Sequence, residues 1–90
     1  MADDLPNGLQ PEDVSILVVD DDAAHAEAMA ESLSRIGYRT EVAAGGSSGY
    51  DKIQAGSYDI VLTDLVMADV DGMEILKAAK TRMPDCEVIL

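Results

Sequence analysis

Short apolar runs alternate along this chain with stretches in which apolar residues recur at helical spacing. Within Val14 to Val19, the run Ile16-Leu17-Val18-Val19 has the continuous apolar pattern of a strand buried on both faces, and it stops at Asp20-Asp21-Asp22. From Ala23 to Ile36 the spacing turns helical. Met29, Leu33 and Ile36 form one stripe, read as core, with Ala26 and Ala30 beside it, while Glu27, Glu31 and Arg35 lie opposite. Glu31 precedes Arg35 by one helical turn, a favourable surface pair, and Gly37 supplies a left-handed cap. Tyr38 to Ala44 alternates, Thr40 and Val42 against Arg39 and Glu41, as a strand at a sheet edge does; Gly45-Gly46 breaks it. A short helix capped by Ser47 or Ser48 runs to Gln54, with Tyr50 and Ile53 as its apolar face and Gly56 at its end. Ile60-Val61-Leu62 is again an unbroken apolar strand, and it leads into Asp64. Asp71-Gly72-Met73-Glu74 then opens a helix with a box-like cap; Ile75, Leu76 and Ala79 face inward, and Pro84 stops it. Glu87 to Leu90 begins a fourth strand.

The order β-α-β-α-β-α-β with short connections predicts right-handed crossovers and a doubly wound parallel α/β sheet with helices on both faces. Residues 1–13 carry two prolines, a glycine and several acids with little to bury, and read as a flexible acidic leader. The folded unit is expected over 14–90. Because a fourth strand with nothing after it leaves one flank bare, the chain is read as a domain incomplete at its C-terminus.

Composition narrows the partners. With 48% hydrophobic and 27% charged residues the chain reads as one small globular unit, and its three tyrosines are the only aromatics, so the core must be aliphatic. A formal charge of -12 with only six Lys and Arg argues against direct nucleic-acid contact and favours cations or basic protein surfaces. Cys86 is alone and forms no internal disulfide, and no run is long and apolar enough to span a membrane. The acidic start Met-Ala-Asp-Asp-Leu-Pro lacks the regions of a signal peptide and points to a cytoplasmic protein.

Charge also selects the chemistry. In open α/β sheets ligands bind beyond the carboxyl ends of the strands, where Asp20, Asp21 and Asp64 all fall if the first and third strands are neighbours. Three carboxylates that close either hold protons or hold a cation. An all-oxygen set suits Mg²⁺, which takes one or two carboxylates, keeps waters and leaves room for phosphate oxygens. A carboxylate beside Mg²⁺ can attack a phosphoryl group and become an aspartyl phosphate. Asp22 is read as a helix cap, Asp69 and Asp71 as loop and cap residues, His25 as a solvated or charge-paired imidazole, and Cys86 as a small packed residue.

Ile-Leu-Val-Val-Asp-Asp-Asp followed by Asp-Ile-Val-Leu-Thr-Asp-Leu-Val-Met-Ala-Asp-Val-Asp-Gly-Met-Glu-Ile-Leu resembles the receiver domain of two-component response regulators, over about Val14 to Leu90. The resemblance implies the flavodoxin-like fold, strand order 2-1-3-4-5 in the full domain, with about the first four strands here. It implies that Asp64 is the phosphoacceptor, that Asp21 binds Mg²⁺ directly and Asp20 mainly through water, and that the backbone carbonyl of Val66 completes the protein's share of the metal shell. Ala68 stands where the family usually has Pro, which implies a less stiff loop. The family's Ser or Thr after strand four and Lys after strand five fall beyond Leu90. The implied partners are a sensor histidine kinase and an output domain, most similar to those of transcriptional activators; a dimer is left open. Such a domain promotes its own phosphorylation and dephosphorylation and is not a turnover enzyme. Two rivals differ in class: a pseudo-receiver that binds protein without phosphorylation, and a Mg²⁺-dependent aspartate phosphatase, whose Asp-x-Asp signature is broken here by Val66.

Overall fold

The structure, a computed structural model, describes residues 8–90. Residues 1–7, the first part of the expected leader, lie outside the described residues. Within the described part of that stretch one short element forms ahead of the first strand. Pro11–Asp13 form a single 3-10 turn in which Asp13 N donates to the Gln10 carbonyl at 2.9 Å and Gln10 N donates to Asp13 Oδ2 at 3.1 Å. Pro11 is buried against Gly37 at the end of the first helix, so the turn is held by packing that no local pattern reveals.

Four strands, β1 (Ser15–Val19), β2 (Arg39–Ala43), β3 (Ile60–Thr63) and β4 (Glu87–Ile89), form one sheet of order β2-β1-β3-β4. Every pairing is parallel, as unbroken apolar strands joined by helical crossovers require. Three helices connect them: α1 (Ala23–Ile36), α2 (Gly46–Ala55) and α3 (Gly72–Arg82). The predicted fold class is therefore the observed one.

The two faces of the sheet are covered differently. On one face α2 and α3 close over Leu17, Val19, Val61, Ile53, Ile75 and Ala79, all buried. On the other, α1 packs over Ile16 and Val18 through Ala26 and Ala30, while Ile60 and Leu62 stay half-buried. This corrects the expected core stripe of α1: Met29 is 39% and Ile36 58% exposed, and Leu33 is only partly buried. The two alanines bring the helix axis close to the strands, and the bulkier residues then lie along its flank.

Two of the three helices start on the residue expected to cap them. Asp22 Oδ1 accepts from His25 N at 3.1 Å to start α1, and Asp71 Oδ1 accepts from Glu74 N at 3.0 Å to start α3. Gly37, at φ 121°, ends α1 as expected. For α2 the expected serine cap is not used. The helix starts at Gly46 behind Gly45, which has no side chain to offer, and its buried residues are Gly46, Gly49 and Ile53 while Tyr50 is exposed.

Candidate functional site

Register builds the site. Val19 of β1 pairs with Thr63 of β3, so the residues that follow, Asp20 and Asp64, emerge side by side at the carboxyl rim. The ladder continues one step past each strand: Asp20 N donates to the Ala43 carbonyl at 3.1 Å, and Asp64 N to the Val19 carbonyl at 3.2 Å. Both backbones are thus held rigidly where the strand order reverses between β1 and β3. Asp20, Asp21 and Asp64 each offer a carboxylate oxygen, and these oxygens all lie within 4.8 Å of one another. The sequence had placed these three together on the assumption that β1 and β3 were neighbours, and they are.

The three carboxylates are not equivalent. Asp20 is buried, and its oxygens are already engaged: Oδ1 accepts from Asp22 N at 2.9 Å, and Oδ2 contacts His25 Nδ1. Burial alone would push Asp20 up, but the Asp22 N–H, the His25 imidazole and the hydrogen bond with Asp64 hold its carboxyl below the ordinary value. His25, paired as one of its expected readings required, is shifted up by Asp20. Asp64 is raised, by desolvation first and then by the hydrogen bond and charge of Asp20. Asp21 is exposed, and its Oδ2 accepts from Ala68 N at 3.3 Å. Such a set, all oxygen and with more negative charge than its surroundings neutralise, fits a hard divalent cation.

Behind the rim, the loop between β3 and α3 doubles back on itself. Gly72 N donates to the Leu65 carbonyl at 2.8 Å, and a Cβ on Gly72 would lie 2.4 Å from the Asp64 carbonyl oxygen and 2.8 Å from Leu65 Cα. Only glycine fits there, so the Asp71-Gly72 pair keeps α3 seated directly beneath Asp64. Val66 lies on this loop and is 81% exposed. A cleft of about 390 Å³, lined in part by Val18, His25, Met29 and Leu62, opens beside Asp20 and Asp64.

Asp69 is the residue that sequence reasoning read too narrowly. It lies in the loop, as expected, yet its carboxylate caps a distant helix: Oδ1 accepts from Gly46 N at 3.0 Å and Oδ2 from Ser47 N at 2.9 Å. The available signal was Gly45-Gly46 at a helix start with no side chain able to cap it.

A doubly wound parallel sheet with carboxylates gathered at its switch point defines the CheY-like class of folds. A family model for the response regulator receiver domain matches residues 16–90, and the chain belongs to that family, the receivers of two-component systems. These domains are signalling modules, and they bind Mg²⁺ at an acidic aspartate cluster of the kind formed here. The chain is 40% identical over 79 residues to the transcriptional regulatory protein ZraR of Klebsiella oxytoca, covering 88% of this chain and 18% of that protein. It is 37% identical over 76 residues to the DNA-binding transcriptional regulator NtrC of Rhizobium meliloti, covering 84% and 16%. It therefore spans less than a fifth of the length of these relatives. Among solved structures it is similar to the response regulator TrrA of Thermotoga maritima in complex with Mg²⁺-BeF, at 32% identity and TM-score 0.78, covering 86% of this chain and 67% of that one. A CheY-like receiver domain protein of Methanospirillum hungatei aligns at 32% identity and TM-score 0.79, covering 83% and 60%.

Proposed function

We propose that the chain is a phosphoacceptor receiver in which Asp64 takes a phosphoryl group from a histidine kinase and later yields it to water. The observation that carries this reading is the meeting of Asp20, Asp21 and Asp64, their oxygens within 4.8 Å, at the rim fixed by the Val19–Thr63 register. An Asp64 carboxylate oxygen attacks phosphorus. The new O–P bond forms as the P–N bond to the kinase imidazole breaks, and the electron pair stays on the imidazole nitrogen. In a second step water attacks phosphorus, the O–P bond to Asp64 breaks with its electron pair left on the carboxylate, and inorganic phosphate and free Asp64 result.

Asp21 and Asp64, together with the backbone carbonyl of Val66, would hold Mg²⁺; Asp20, both of whose oxygens are already engaged, would act through water. When bound, the metal supplies the positive charge that offsets nucleophile and phosphoryl oxygens as they approach. His25 holds Asp20 ionised and oriented, and Ala68 N fixes Asp21. The phosphorylated state would govern an attached output domain, and the likeness to ZraR and NtrC favours a transcriptional one. The acidic surface leaves nucleic-acid contact to that module. Among the described residues no helix is long and apolar enough to cross a membrane, and we place the protein in the cytoplasm, where its kinase would meet it.

Titration with beryllofluoride, a phosphoryl mimic, in the presence of Mg²⁺ tests the proposal. The protein should bind both, and Asp64→Asn should abolish the beryllofluoride signal. Binding unaffected by that substitution, or no binding at all, would sink the phosphoacceptor role and leave a receiver fold that acts only by contact with protein.

A further inference from the structure

The loop between β3 and α3 carries the Val66 carbonyl, and its backbone is gripped at two consecutive residues from opposite sides. Ala68 N donates toward the acid cluster, to Asp21 Oδ2 at 3.3 Å. Asp69 reaches the other way, its two oxygens on Gly46 N and Ser47 N at 3.0 and 2.9 Å, with Val70 N also donating to Oδ1 at 2.8 Å. These donors, Ser47 foremost, hold the Asp69 carboxyl far below the ordinary range, so it stays an acceptor at any working pH.

Contact backs the hydrogen bonds. A Cβ on Gly46 would sit 2.2 Å from the Val70 carbonyl oxygen and 2.7 Å from Val70 Cβ. The loop thus lies flush against the start of α2 and cannot move toward it, while the carboxylate stops it moving away. Ala68 has no proline ring to fix the backbone there, so the loop depends on these contacts.

We propose that Asp69 is a positioning residue for the metal and phosphoacceptor site, clamping the loop to α2 so that Val66 and Asp64 are held in place from the side opposite Asp21. This rests on the site reading above. A cap alone would stabilise α2 and nothing more; a clamp also sets metal affinity.

The test compares Asp69→Ala, Asp69→Asn and Gly46→Ala with Ile53→Val, a substitution inside α2 that destabilises the buried core and removes none of the hydrogen bonds of Asp69. Calorimetric titration with Mg²⁺ alone gives the Kd, thermal melting gives stability, and amide exchange reports the Gly46, Ser47 and Ala68 N–H groups. Asp69→Ala should weaken Mg²⁺ binding about tenfold, the scale of losing an outer-shell support, and speed exchange at all three amides. Asp69→Asn, which keeps one acceptor oxygen, should fall between it and the wild type and carries the test if Asp69→Ala does not fold. Gly46→Ala should weaken binding in the same direction, and Ile53→Val should lower the melting temperature with the Mg²⁺ Kd unchanged. Wild-type affinity in the Asp69 variants, or an equal loss in Ile53→Val, overturns the clamp alone. A wild-type chain that binds no Mg²⁺ overturns the site reading, and the clamp with it.

Discussion

Asp64 begins the loop between β3 and α3 and Asp69 lies toward its other end, yet their surroundings treat the same side chain in opposite ways. Asp64 emerges among carboxylates and is pushed up by desolvation and by Asp20; Asp69 points at the N–H groups that begin α2 and is pushed down. One end concentrates negative charge that nothing nearby neutralises in full, while the other spends its charge on the backbone. The contrast shows how a loop can be anchored and reactive at once. Its anchor is a carboxylate whose needs are met within the fold, and its reactive end is one whose needs are left for a cation.

The largest effect should come from the floor that both ends share. Ile75 of α3 is fully buried in the apolar cluster that also holds Met67 of the loop, with Val70 packed against it, so Ile75→Ala should cost about 2–5 kcal/mol in denaturant unfolding and disturb both ends together. A smaller and more discriminating effect lies in pH. Asp64 has a raised folded value, so its stabilising contribution is present below the unfolded value of about 4 and is lost as pH rises through the folded one. At neutral pH its ionised form opposes folding. Asp64→Asn should therefore melt higher than the wild type at pH 7, with the gain shrinking as the acid is titrated. Asp69 has a depressed folded value, so its contribution is present above about 4 and is lost as pH falls toward the folded one. Asp69→Asn should accordingly melt lower at pH 7 and converge on the wild type in acid. Melting profiles with the same sign for both variants would break the contrast. The smallest effect belongs to a carboxylate in neither environment. Glu31, paired with Arg35 at 3.5 Å on the exposed face of α1, should tolerate Glu31→Gln within about 0.5 kcal/mol by chemical denaturation.

Much of this arrangement was legible in the chain itself, because the rules involved are local. Unbroken runs such as Ile16 to Val19 announce buried parallel strands, Asp22 and Asp71 cap the residues just after them, and Gly37 stops a helix. The acid cluster followed once β1 and β3 were taken as neighbours. Readings failed where depth or distance decided. Periodicity marks the face of α1 that turns inward, but only packing shows that Ala26 and Ala30 go deep while Met29 and Ile36 do not. The cap of α2 comes from Asp69, far along the chain, so a search for a capping residue beside Gly45 settles on Ser47 or Ser48 and errs. The packing of Pro11 beside Gly37 is invisible locally for the same reason, since a strand and a helix lie between them in the chain. His25 takes the second of its two ordinary readings, solvated or charge-paired, but nothing in the residues around it singles out Asp20 as its partner.

The position of β1 has a consequence in time. It is the first strand among the described residues and it is flanked on both sides, by β2 and by β3, so each of these neighbours is made later and arrives only after a helical crossover. Its ladder is half complete when Arg39 to Ala43 returns and is closed only when Ile60 to Thr63 does. Until then Ile16 to Val19 is an apolar segment with open edges, waiting on the ribosome or in refolding solution for long loops to close. The rate at which the chain folds is thus set by those closures, and by how long β1 can wait without pairing with the wrong strand.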